Sequence, residues 1–169
     1  MFRNIFEFLR QNGNGRKKNM HETTDRVIVR PMTEEDLPQV ETIEQESFSM
    51  PWSLDAFRST IAREDTIYMV ACEEDEIVGY CGMYVSFDEG EIPNVAVKST
   101  SRNRGTGEKM LAVLLECAAA RGVSSVFLEV RESNGAARRL YGKLGFQEAG
   151  IRKNFYEKPR EHAVIMWKK

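Results

Sequence analysis

The chain has 169 residues, enough for one domain with its own core and too few for two of ordinary size. Its hydrophobic share of 41% and charged share of 30% are those of a soluble globular protein, and a net charge of −2 argues against nucleic acid as an obligatory partner. No apolar run approaches the roughly 20 residues a bilayer-spanning helix needs, so no membrane span is expected.

Cys72, Cys81 and Cys117 are odd in number and form no Cys-x-x-Cys pair. They predict buried thiols in a reducing compartment, and a cytoplasmic protein, rather than a disulfide framework or a zinc site.

Charge is uneven at the start. Residues 1–19 carry Arg3, Arg10, Arg16, Lys17 and Lys18 against the single acid Glu7. Phe2, Ile5, Phe6 and Leu9 fall at one-face helical spacing, and Gln11 to Asn19 reads as a polar linker. Residues 1–25 are therefore expected to be a basic extension and linker, disordered or a short amphipathic helix, with Met20 as an alternative start. Glu7 and Arg10 interrupt the apolar stretch, which speaks against a secretory signal. The domain is expected to span residues 26–169.

From there the pattern alternates. Val27 to Val29 reads as a strand ending at Pro31. Thr33, with Asp36 three residues on and Leu37, Val40, Ile43 and Phe48 following, marks a capped amphipathic helix. Pro51-Trp52 breaks it, and Ser53 caps a second helix through Leu54, Phe57 and Ile61. Ile67 to Cys72 and Ile77 to Ser86 are two strands across the acidic turn Glu73 to Glu76, and Glu91 to Val97 is a third. Gly105 to Arg121 is a helix with Met110, Leu111, Leu114 and Leu115 inward and Gly122 as its C-terminal stop. Val126 to Val130 is a strand, Asn134 to Leu144 a helix, and Gln147 to Asn154 and Ala163 to Trp167 a closing strand pair. Helices between strands imply crossovers while short links imply hairpins, so the sheet should be mixed.

The chemistry concentrates between Arg102 and Phe146. Arg102-Asn-Arg-Gly-Thr-Gly107 feeds a helix N-terminus, where unpaired backbone N–H groups and the helix dipole favour an anion. A carboxylate, Glu129, and a phenol, Tyr141, follow, which suggests a phosphate-bearing cofactor beside an acid–base pair. Each has a plainer reading. Glu129 would serve in a strand-end salt bridge with Arg131 or Arg152, and Tyr141 would pack in the core beside Leu140 and Leu144. Gly105-Thr-Gly-Glu-Lys109 also hints at a P-loop, but Met110 stands where Ser or Thr should hold magnesium and no upstream glycine has the required spacing. His21 and His162 are the only histidines and neither joins a ligand cluster, so no metal is expected.

The element order and the Arg102-x-x-Gly105-x-Gly107 turn resemble the GNAT acyltransferase fold. More narrowly, Glu46-Ser-Phe-Ser-Met-Pro-Trp-Ser53, Asn94-Val-Ala-Val97, Leu128-Glu-Val-Arg131, Ser133-Asn134, Leu140-Tyr141, Leu144-Gly-Phe146 and Asn154-Phe-Tyr156 resemble the RimI family. That bacterial family acetylates the N-terminal alanine of the small-subunit ribosomal protein numbered eighteen. The resemblance covers roughly Arg26 to Lys169. It implies an α/β single-domain GNAT fold, with a mixed, mostly antiparallel sheet, flanking helices and a splayed central strand pair. It also implies acetyl-CoA as cosubstrate, a ribosomal protein N-terminus as acceptor, and no need for nucleic acid. A monomer is expected.

The resemblance assigns roles residue by residue. Glu129 is the expected general base, acting through a water, and Tyr141 the expected general acid. Arg102, Asn103, Arg104, Gly105, Thr106, Gly107 and Glu108 would cradle the pyrophosphate, Val95, Ala96 and Val97 would offer strand-edge groups to the pantetheine arm, and Asn134 would touch the cofactor. Phe48, Pro51 and Trp52, with Met50, would line one wall of the acceptor groove. Tyr156, with Asn154, would line the other. Trp52 and Tyr156 also read as ordinary packing residues, and Glu46 as an exposed helix acid. Ser99, Ser101, Thr106, Glu108 and His162 depart from the family pattern; Thr106 and Glu108 would loosen the cofactor site by lost packing and added negative charge. A GNAT enzyme for lysine side chains or a small amine, or a catalytically silent acyl-CoA-binding module, are the alternatives.

Overall fold

Residues 27–169 are described by a computed structural model; the basic extension 1–25, Arg26, the Met20 start and His21 lie outside the described residues. The elements are β1 (Val27–Pro31), α1 (Leu37–Ser47), α2 (Leu54–Ile61), β2 (Thr66–Glu73), β3 (Glu76–Ser86), β4 (Glu89–Ile92), β5 (Val95–Val97), α3 (Thr106–Ala120), β6 (Ser125–Arg131), α4 (Gly135–Lys143), β7 (Gln147–Glu157) and β8 (Arg160–Lys168).

Eight strands form one sheet in the order β1-β2-β3-β4-β6-β8-β7, with β5 also on β3. Every described pairing is antiparallel except β4 with β6. The mixed, mostly antiparallel sheet expected of a GNAT fold is what the chain forms.

Both faces of the inner strands are covered, which is why β2 reads as an almost continuous apolar run. Tyr68, Val70 and Cys72 point to one face, under Leu37, Val40 and Ile43 of α1 and Phe57 of α2. Ile67, Met69 and Ala71 point to the other, under Met110, Leu111 and Leu114 of α3. That second cluster continues through Leu128 and Val130 of β6 to Tyr141 of α4 and Phe146.

The predicted helix starts hold in detail. Ser53 Oγ accepts from the Ala56 amide at 3.2 Å, and Gly122, at φ 86°, ends α3 as expected of a left-handed stop. Ahead of α1 the Thr33 amide donates to Asp36 Oδ2 at 2.8 Å across a short 3-10 turn, Glu34–Asp36. Asp36 is also gripped by both Arg30 Nη atoms at 2.7 Å. Burial alone would push the Asp36 carboxyl up, but the Arg30 guanidinium and the Thr33 amide outweigh it and hold it below the usual range.

Asp36 therefore stabilises the fold above the ordinary carboxylate range, and this contribution fades as pH falls through its lowered folded value. Asp36→Asn should cost about 1–2 kcal/mol at neutral pH, since it loses a charged two-point bond to a part-exposed arginine. Urea titrations of both proteins should converge in acid; a pH-independent gap would contradict the assignment.

One strand breaks differently from the sequence expectation. Glu91 to Val97 is not a single strand but β4 and β5, interrupted at Pro93 and Asn94. Pro93 has no N–H to lend to a ladder, so pairing stops there and resumes on β3 alone. This interruption opens the site.

Candidate active site

β4 and β6 run in parallel register from Glu89 with Ser125 to Ile92 with Leu128, and then part. Past that point β5 stays with β3, Val95 to Val97 standing opposite Cys81 to Gly79, while β6 continues beside β8. A wedge opens between β5 and β6, the splay the resemblance implied. Glu129 is the first β6 residue beyond the last β4 partner.

The free edge of β5 has a defined polarity. The Gly82 amide donates to Asn94 O at 3.2 Å and the Lys98 amide to Val78 O at 2.8 Å, so bonded positions alternate along this strand. That turns the main-chain groups of Ala96 toward Tyr80 and those of Val95 and Val97 into the wedge. Arg102 Nε donates to Val97 O at 2.9 Å, reaching in from the turn that follows.

That turn carries the anion-site features. Asn103 (φ 60°) and Gly105 (φ 80°) are both left-handed, and Arg102 to Gly105 are exposed. Gly105 is the N-cap of α3 and has no side chain to satisfy the first-turn amides. The first helical bond runs from the Lys109 amide to Gly105 O, leaving earlier donors available. Gly107 has a further reason to be glycine: a Cβ there would sit 3.3 Å from Leu140 Cδ2 and 3.7 Å from Val97 Cγ2, crowding α4 and β5.

The two departures in this turn have structural roles. Thr106 is buried, with its hydroxyl 3.4 Å from Ser101 O, and so helps hold the loop. The Glu108 carboxylate is paired with Lys143 Nζ on α4 at 2.6 Å, which offsets its charge beside the helix start. Lys109 Nζ is committed to Val27 O at 2.6 Å, consistent with rejecting a P-loop. Asn134 caps α4, its Oδ1 accepting from the Ala137 amide at 3.1 Å. Its side-chain nitrogen has no hydrogen-bond partner among the described residues, and the residue is exposed.

Glu129 and Tyr141 lie on opposite faces of the sheet. Leu128 and Val130 belong to the α3 cluster together with Tyr141, so the intervening Glu129 side chain stands on the other face of β6. Glu129 Oε1 accepts from Arg152 Nη1 at 2.7 Å, one of the two salt bridges its position suggested. Tyr141 is 8% exposed, edge-on to Phe146 at 5.9 Å. Burial, with the Tyr156 phenol nearby, pushes the Tyr141 phenol well above its ordinary range, so it stays protonated at any working pH.

Tyr156 has its partners on β6. Its hydroxyl donates to Glu129 O at 3.2 Å, and Arg131 lies over its ring at 4.1 Å from the centroid. Arg131 in turn bonds Lys158 O, Pro159 O and Glu161, tying β6 to the β7–β8 turn. The α1–α2 segment carries Phe48, Met50, Pro51 and Trp52. Ser49 Oγ of that segment donates to Lys158 O at 2.5 Å, so the segment touches the β7–β8 turn. Trp52 packs on Phe57 and Phe57 on Tyr80, each at 5.4 Å between centroids. Trp52 is thus a packing residue, one of the two readings its position suggested.

Sequence reasoning singled out Glu46 and missed Glu44. Glu44 is 2% exposed; its Oε1 accepts from the Trp52 amide at 2.9 Å and its Oε2 from the Tyr80 hydroxyl. It pins the α1–α2 segment to Tyr80 of β3, which stands opposite Ala96 of β5. Burial pushes its carboxyl up, against the two donors that favour its charged form. The signal was present, because Glu44 lies four residues after Val40 and seven after Leu37, on the buried stripe of α1. His162 Nδ1 accepts from the Asn154 amide at 3.0 Å, and no group of three metal-binding side chains occurs among the described residues. The three cysteines are buried and unpaired, and no helix among the described residues is long and apolar enough to cross a membrane.

Comparison with known proteins agrees with this geometry. Residues 37–146 match the model of the acetyltransferase (GNAT) family. The chain is 37% identical over 134 residues to the ribosomal protein bS18-alanine N-acetyltransferase of Haemophilus influenzae, covering 78% of this chain and 90% of that one. It is 37% identical over 133 residues to the Salmonella typhimurium enzyme of the same name, covering 78% and 89%. The crystal structure of the ribosomal-protein-S18-alanine N-acetyltransferase from Escherichia coli superposes with a TM-score of 0.77 at 34% identity, over 84% of this chain and 92% of that chain. With the family model matched over most of the chain and relatives above 30% identical, this chain belongs to the GNAT N-acetyltransferase family, resembling its RimI members.

Proposed function

We propose that this chain acetylates the α-amine of the N-terminal alanine of ribosomal protein bS18, with residues 26–169 as the acetyltransferase domain and 1–25 as an appendage. The acceptor comes from the names of the relatives; the chemistry comes from the wedge. The observation that carries the reading is the position of Glu129, first past the β4–β6 pairing, facing a gap bordered by the outward groups of Val95 and Val97.

The residues present suit the cosubstrate. Donors at residues 103–108 suit a pyrophosphate, because the Gly105 cap offers no competing acceptor. Val95 offers an amide and a carbonyl and Val97 an amide to the amide-bearing arm, the Val97 carbonyl being held by Arg102, and the Asn134 amide stands at the next helix start. Acetyl-CoA, when bound, supplies an activated acyl group whose carbonyl the free amine attacks and whose thiolate leaves.

The chain's own groups manage the protons. A peptide α-amine has a pKa near 8 and arrives mostly as an ammonium. Glu129 takes its proton through a water, and Tyr141, held protonated by burial, gives one to the departing sulfur. Outward amides of β5 polarise the carbonyl oxygen. Phe48, Pro51, Trp52 and Tyr156 flank the acceptor's first residues.

The test is acceptor profiling of the purified protein with peptides beginning Ala-Arg, lysine peptides and polyamines. The alanine peptide should lead by at least about tenfold in kcat/KM. Preference for lysine or polyamine would move the enzyme to another acceptor class. Coenzyme A binding without transfer to any of them would leave a silent binding module.

A further inference from the structure

Glu129 does not stand open to an incoming amine. Arg152 Nη1 occupies its Oε1 at 2.7 Å. Arg152 stands on β7 opposite Ala163 of β8, which faces Arg131, while Glu129 faces Ile165 one step along. All five side chains lie on one face of the sheet, so Arg152 reaches Glu129 diagonally across β8. The Arg152 side chain is 60% exposed and that of Glu129 19%, which places the cation on the solvent side of the carboxylate. Its only other described partner is the Phe155 ring, 4.7 Å from the centroid.

Arg131 provides the contrast. It is fixed by Glu161, by two main-chain carbonyls and by the Tyr156 ring, and is part of the wall. Arg152 is held by one exposed ion pair and one ring face, contacts that are individually weak. A loosely held cation on the carboxylate that should meet a cationic acceptor is a competitor for that place.

We infer that the Arg152 guanidinium occupies the seat that the acceptor's α-ammonium takes beside Glu129, and leaves it when the acceptor docks. This rests on the functional reading above. The exchange keeps the carboxylate charge-balanced at both stages, and it favours acceptors whose terminus carries a positive charge. An uncharged terminus gains little from the carboxylate whether or not the guanidinium is beside it. Arg152 is thus a positioning and specificity residue, acting through Glu129.

The test is calorimetric titration of a peptide beginning Ala-Arg into the full-length protein saturated with coenzyme A, a complex that cannot turn over. Arg152→Met should bind the peptide about two- to fivefold more tightly than wild type, the size expected from removing one exposed competing pair. Arg152→Lys should return the affinity toward wild type. The α-hydroxy analogue of the peptide, which lacks the charge, should bind wild type and Arg152→Met alike. In a Glu129→Gln background the Arg152→Met change should have no effect.

Unchanged or weaker peptide binding by Arg152→Met overturns the inference. So does equal tightening of the hydroxy analogue, which would make Arg152 a steric obstacle only. A wild-type protein that acetylates the alanine peptide while these arms fail loses this inference alone. A wild-type protein that neither binds nor acetylates the peptide loses the functional reading as well.

Discussion

Glu129→Gln is expected to slow acetyl transfer by about 10²- to 10⁴-fold, the span found when a positioned general base is removed. Glutamine preserves the shape of the side chain on β6 and its hydrogen bond to the partly exposed Arg152, so the fold should survive. It cannot accept the proton that the ammonium must lose before its nitrogen can attack. Single-turnover transfer from bound acetyl-CoA reads this step directly, with coenzyme A titration as the control for the cofactor site. A variant that transfers at the wild-type rate would remove Glu129 from the chemistry and leave it as the salt bridge to Arg152. Raising pH toward and above 8 should recover part of the lost rate, because more acceptor then arrives already deprotonated.

Tyr141→Phe should have a smaller effect, about 10- to 100-fold, for a reason that lies in the leaving group. A thiol with an ordinary pKa near 8.5 departs far more readily than an amine or alkoxide and needs less protonation in flight. The Tyr141 hydroxyl forms no hydrogen bond among the described residues although its ring is almost fully buried. Removing it therefore leaves no orphaned partner, and stability should change by under about 1 kcal/mol. A rate loss with unchanged urea stability separates the acid role from the core-packing role. A stability loss with an unchanged rate would reverse that assignment. Tyr156 is the necessary comparison, since its hydroxyl is already committed to Glu129 O.

The features legible from sequence were those set by neighbours along the chain. Ser53 as a cap, Gly122 as a stop and the apolar faces of α1 and α3 depend on spacing within one or two turns. Gly105 at the start of α3 was legible for the same reason, though not its left-handed backbone. The break at Pro93 was visible as a proline, but its consequence was not, because the loss of one amide matters only through which strand lies alongside. Ala96 shows this best. From sequence it is one of three equivalent edge residues, and only the alternation of bonds to β3 turns it inward and its two neighbours outward.

Sequence alone determined the order of helices and strands, the glycine-led helix start, the candidate acid and base, and the family resemblance, because each is written in local spacing or in short motifs. Tertiary structure decided the rest: that Glu44 rather than Glu46 is buried and holds Trp52, that Glu108 is offset by Lys143, and that Arg152 rather than Arg131 meets Glu129. Each of these joins groups from different elements. Their distances follow from strand order and register, which sequence spacing does not encode.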